Sequence, residues 1–192
     1  MKLGILFATL LSAIFLGAGS SATAFQGREH LTEKEIDMVK DAQILDKRID
    51  IFIKAADRRL IALTGAGADA TNAKQLKKDA DSWGELPTGS RAELIGDIAK
   101  IFDEAITNID DVSTRDESNP LIPKALRKLS AAATRIVDQL KPAEVNAKGE
   151  AELNNFDQLA ENAQAIVDAA NRLPPPEEKK PKTKSEKPKA TN

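Results

Sequence analysis

Asp110, Asp111, Asp116 and Glu117 place four carboxylates within eight residues, in the stretch IDDVSTRDE. Carboxylate oxygens are the hard ligands that calcium takes, so the first chemistry to weigh is cation binding. The spacing matches no EF-hand loop, whose glycine is missing here. The competing reading is electrostatic. Asp110 and Asp111 fall near the predicted C-terminus of a helix, where the helix dipole disfavours negative charge. Arg115, Lys124, Arg127 and Lys128 are the nearest cations in sequence, and pairing with them predicts a surface salt-bridge cluster.

Other residue types suited to chemistry are scarce. The only histidine, His30, lies early in the chain, and Met38 on the same segment cannot bracket a haem with it. His30 therefore reads as a solvated residue in a frayed N-terminus. No Glu-x-x-His pair offers a di-iron site. With no cysteine there is no disulfide, thiolate metal site or thiol nucleophile. Gly65-Ala66-Gly67 lacks the preceding strand and the third glycine of a dinucleotide fingerprint, and reads as a flexible link. The single tryptophan, Trp83 in SWGELP, either plugs one end of the fold with Leu86 or serves as an anchor for a partner. No cofactor is expected. No acidic residue is expected to interrupt an apolar stripe, so a buried carboxylate pair for acid–base work has no evident place and the chain does not read as an enzyme.

Any such residue must be positioned by helices. Leu45, Ile49, Phe52, Ala56, Leu60 and Leu63 recur every three or four residues, the period of an amphipathic helix. That helix could begin as early as Thr32, where Thr32 and Glu35 have capping-box spacing, and Gly65 ends it. A second stripe follows Ser90 and its matching Glu93: Leu94, Ile98, Ile101, Ala105, Ile109 and Val112. A third runs Ile122, Leu126, Leu129, Ala133, Ile136 and Leu140, limited by Pro142; a fourth runs Leu153, Phe156, Ala160, Ala163, Val167 and Ala170, stopped by Pro174. No sustained alternation marks a strand. The expectation is all-α: an up-and-down four-helix bundle, the short connections after the second and third helices favouring antiparallel neighbours, with a short fifth helix near Asn72–Asp79 as an optional addition.

The ends of the chain carry its address. Lys2, the apolar run Leu3–Leu16 and the small-x-small Ala22-Thr23-Ala24 predict a signal peptide over 1–24, cut before Phe25. The run is shorter than the ~20 residues a membrane span needs. The bundle domain then covers 25–173 and a Pro/Lys-rich tail covers 174–192, expected to be disordered and extended. The formal charge is −2; without Lys2 it is −3, of which the tail contributes +3 and the body −6. An acidic body argues against nucleic acid as partner. Lys179, Lys180, Lys182 and Lys184 in the tail could touch an anionic surface weakly, in a salt-sensitive way, or the tail is only a tether.

The segments LTEKEIDMVKDAQILDKRIDIFIKAADRRL and WGELPTGSRAELIGDIAKIFDEAITNIDDVSTRDESNPLIPKALRKL resemble exported helical proteins of soil bacteria that have no assigned activity. The resemblance implies export and an all-helical fold, and carries over no site residue. The reading is thus an exported, periplasmic or extracellular, non-enzymatic protein that meets an envelope protein or an anionic surface. A leftover apolar stripe would also serve self-association. The rival is a bundle binding a small ligand or Ca2+.

Overall fold

Thr32 and Ser90 each stand before a helix and close a reciprocal cap. The Thr32 hydroxyl accepts from the Glu35 amide at 3.3 Å, while the Glu35 carboxylate accepts from the Thr32 amide at 2.9 Å. Ser90 and Glu93 make the same exchange at 3.2 and 2.7 Å. Each box satisfies donors that a first helical turn leaves open. In the computed structural model, which describes residues 29–65 and 70–175 (without the side chains of 70–76), these caps open two of six helices. They are α1 (Glu33–Asp41), α2 (Leu45–Thr64), α3 (Ala70–Trp83), α4 (Arg91–Arg115), α5 (Leu121–Val145) and α6 (Glu150–Asn171). The described residues are all-helical and contain no strand. Residues 1–28, 66–69 and 176–192 lie outside them, and with them the expected signal peptide over 1–24 and all but two residues of the expected tail.

Three local expectations are corrected. The box at Thr32 caps a separate short helix, because the chain turns extended at Ala42. Side chains take carbonyls there: Gln43 Nε2 donates to Lys40 at 3.1 Å and Arg48 Nε to Ala42 at 3.0 Å, so ending the helix leaves those oxygens satisfied. Second, Pro142 does not end α5, which continues to Val145. A proline in a last turn forfeits one backbone bond while its φ still suits the helix, and Asn146 Nδ2 caps its carbonyl at 2.7 Å. Third, the buried face of α6 is Phe156, Leu159, Ala163 and Ile166; Leu153 and Ala160 face outward. The short helix after the glycine link is α3, longer at both ends than expected.

Packing follows from these faces. Ile49, Phe52, Ala56 and Leu60 of α2 join Ile95, Ile98, Phe102 and Ala105 of α4, Leu129, Ala133 and Ile136 of α5, and the α6 face in one core. α4 is buried continuously from Leu94 to Ala99 because it touches α2, α5 and α6. Side-chain pairs fix the directions. Asp46–Lys124, Asp50–Lys128 and Asp57–Arg135 share one sequence offset of 78, so α2 and α5 run the same way. Asn155 and Asn162 donate to the Ala92 and Ala99 carbonyls at 2.7 and 2.9 Å with a common offset of 63, so α4 and α6 also run the same way. Arg48 near the start of α2 reaches Asn108 near the end of α4 at 3.1 Å, so those two oppose. Two of the lateral seams, α2–α5 and α4–α6, are thus parallel, while the consecutive helices α4–α5 and α5–α6, joined by short connections, run in opposite directions. The short connection after α4 joins it to α5, which it touches more lightly than α2 or α6.

Candidate functional site

Arg58 and Arg59 are consecutive on α2, so their side chains leave the helix about 100° apart. Each reaches a different piece of chain. Arg59 donates through Nη2 to the His30 carbonyl at 2.6 Å, and through Nη1 to Glu35 Oε1 at 2.7 Å and the Ala55 carbonyl at 2.9 Å. Arg58 donates to the Gly84 carbonyl at 3.3 Å and to the Glu85 carbonyl. Its Nε lies 3.0 Å from the same Glu35 oxygen. Asp97 of α4 stands 4.0 Å from Arg59 Nε. The four charged side chains are buried, two cations against two anions. Burial pulls the Arg58 guanidinium below its ordinary pKa, and Glu35 opposes that shift.

The two arginines bracket a groove. An open volume of about 520 Å³ lies between residues 29–33 and 85–88. Leu31, Leu86 and Pro87 give it apolar lining, buried Arg59 stands behind, and Glu29, Glu33 and Glu85 are exposed along it. Arg59 holds one wall through His30, and Arg58 holds the other through Gly84 and Glu85. Gly84 has φ +75°, a conformation that L side chains rarely adopt, and a Cβ there would stand 3.3 Å from Lys34 Cδ. The groove suits a segment bringing an apolar side chain together with positive charge.

The residues singled out from sequence are dispersed. Trp83 is half-buried at the end of α3, with the Arg58 guanidinium carbon 5.7 Å from its ring centre, a cation–π contact. Asp110, Asp111, Asp116 and Glu117 are all exposed at the end of α4. Among the described residues no group of three His, Cys, Asp or Glu gathers to hold a metal ion. The salt-bridge cluster expected around Asp110 and Asp111 is corrected. Lys124 and Lys128 pair with Asp46 and Asp50 of α2, Arg127 donates to the Pro174 carbonyl, and Arg115 bonds the Asp111 backbone at 3.0 Å. Lys179, Lys180, Lys182 and Lys184 lie outside the described residues.

His30 is not a frayed residue. It is half-buried, and its Nε2 sits 2.7 Å from Glu104 Oε2 of α4. Acidic residues do enter the interior: Glu35, Asp46, Asp97 and Glu152 are buried. Asp46 is held below the usual carboxylate range by its hydrogen bond from Lys124, and Glu152 by the Lys148 amide with help from Arg91. Asp97 was legible in hindsight, since it sits at helical spacing between Leu94 and Ile101. Glu35 was masked by its capping role, which most often leaves a glutamate at the surface.

A second groove, about 300 Å³, runs between α5 and α6 along Val137, Ala160, Ala163 and Val167, with Thr134, Asp138 and Gln164 beside it. Comparison with known proteins finds no matching family model, no similar curated protein and no similar solved structure. The site must be read from its own chemistry. No helix among the described residues is long and apolar enough to cross a membrane.

Proposed function

We propose that the chain is an exported, non-enzymatic interaction protein: an up-and-down four-helix bundle, with the α4-to-α5 connection crossing it, that offers an acidic face to a basic envelope partner. The observation that carries this reading is the segregation of charge. α6 holds Glu150, Glu152, Asp157, Glu161 and Asp168 and no lysine or arginine. Three of the five cations of α5, Lys124, Lys128 and Arg135, are instead committed to α2. The body's negative charge is thereby weighted toward the α4–α6 side, where Asp103 and Asp110 of α4 are exposed together with Lys100, and Arg91 pairs with Glu152. A predominantly negative field of this kind steers oppositely charged partners and makes association salt-sensitive. The buried carboxylates act as structural counter-charges, each facing a cation, rather than as an acid–base pair.

The test is fractionation of the native host, comparing the full exported chain with one ending at Leu173. Protein that stays with washed envelope through truncation and leaves in high salt is held by the acidic body. Release by truncation alone assigns retention to the tail and an anionic surface. Free solubility of both forms removes the envelope reading and favours small-ligand binding, for which the α5–α6 groove is the observation in support.

A further inference from the structure

We infer that the groove between residues 29–33 and 85–88 is the seat of the chain's own processed N-terminus, Phe25–Arg28. The inference rests on the proposed export, because only removal of the leader before Phe25 frees that end. Four observations converge on this occupant. The segment is already tethered at the groove, since Glu29 both lines it and directly follows Arg28. Four residues reach at most about 14 Å when extended, so Phe25 stays within range of Leu31, Leu86 and Pro87. The apolar lining suits one aromatic ring, and Phe25 is the aromatic residue on the tether.

Charge agrees with shape. Cleavage creates an α-ammonium at Phe25, and Arg28 supplies a second positive charge. Facing them are Glu29, Glu33 and Glu85, exposed and in no ion pair with a described residue. Finally, both walls are fixed before anything docks, because Arg58 and Arg59 hold them through backbone carbonyls. A rigid seat lowers the ordering cost of docking, and a short tether raises the effective concentration of the occupant to the millimolar range. The unprocessed chain cannot present a free Phe25 amine. Occupation of the groove therefore distinguishes the exported protein from its precursor.

The experiment uses the chain from Phe25 to Asn192, released from a fusion so that Phe25 is the first residue. Trypsin cleavage of the Arg28–Glu29 bond is followed by mass spectrometry, beside Phe25→Ala and, from the groove side, Leu86→Gln. Docking predicts at least tenfold slower cleavage in the unmodified chain than in either variant, with thermal unfolding checking that each body is folded. Equal rates in the unmodified chain and Phe25→Ala overturn the inference, whatever Leu86→Gln does. The export reading is tested apart from this by the N-terminal mass of the protein recovered from the native host. A terminus other than Phe25 there sinks the cleavage assignment, while the trypsin comparison still reports on the groove.

Discussion

Glu35 holds two posts at once. One carboxylate oxygen completes the cap of α1, and the other lies between two arginines of α2. Neutralising it leaves Arg58 and Arg59 buried, with Asp97 4.0 Å from the nearer guanidinium nitrogen. Removing one member of a buried charged group typically costs about 3–5 kcal/mol, because the remaining charge stays desolvated. Glu35→Gln is therefore expected to lower stability by about that amount. At about 2–4 °C per kcal/mol for a domain of this size, the melting temperature falls by on the order of 10 °C. Arg59→Met in the Glu35→Gln background should cost less than the two single changes added, since the charge left unmatched in the first variant is gone in the second. Additive losses, read by urea denaturation, would show that the two residues act independently. The pair also marks a limit of linear reading. Arg58 was legible as lying off the apolar stripe, which makes it a surface residue in a one-helix picture. Only the approach of α1 and of residues 84–85 from outside converts that surface into interior.

At the level of elements, helical spacing located α2, α4, α5 and α6 and the caps at Thr32 and Ser90. The facing of α6 was not legible, because Leu153, Ala160 and Val167 have spacing as good as Leu159 and Ile166. What decides is the partner. Asn155 and Asn162 hook the Ala92 and Ala99 carbonyls of α4, and this sets the rotation of α6 about its axis. Gly96 belongs to the same device, since a Cβ there would fall 2.9 Å from Asn155 Nδ2. Gly→Ala within a helix ordinarily gains about 1 kcal/mol. Here that gain is expected only when Asn155 is already absent. Gly96→Ala should be stabilising by about 1 kcal/mol in an Asn155→Ala background and near neutral or destabilising in the parent. Equal effects in both backgrounds, measured by urea midpoints, would remove the asparagine hook as the register device. The seams between helices also carry a pH signature. Asp46 and Glu152 have lowered pKa values in the folded protein, so the unfolded chain binds their protons more tightly. Their contribution is complete above the unfolded carboxylate pKa, about 4, and is lost as pH falls through the lower folded values. The urea midpoint should drop as pH is lowered below about 4. An Asp46→Asn, Glu152→Gln variant should start less stable at neutral pH and lose less on acidification.

At the scale of the whole molecule, charge is arranged by side rather than by count. The formal charge of −2 describes neither the acid-only α6 nor the three α5 cations matched against α2. Composition revealed an acidic body and a basic tail, but not which face keeps its charge. That depends on Lys124, Lys128 and Arg135 lying along α2, a parallel seam that no sequence period announces. The consequence can be tested without disturbing the core. Asp157 and Glu161 are exposed one turn apart on α6, and exposed substitutions of this kind usually change stability by no more than about 0.5 kcal/mol. Replacing both with lysine reverses the field over the middle of α6. If the acidic face receives a basic partner, crosslinking in intact cells should lose that partner in the double variant. The melting temperature should stay within a few degrees, and in the parent chain the same crosslink should weaken as salt rises, because charges farther apart than about 8–10 Å are screened at physiological ionic strength. A partner retained by the double variant at unchanged yield would move the contact off α6. The α5–α6 groove and the N-terminal groove would then be the surfaces to probe by substitution, each with a lining that α6 charge reversal leaves intact at Val137 and at Leu86.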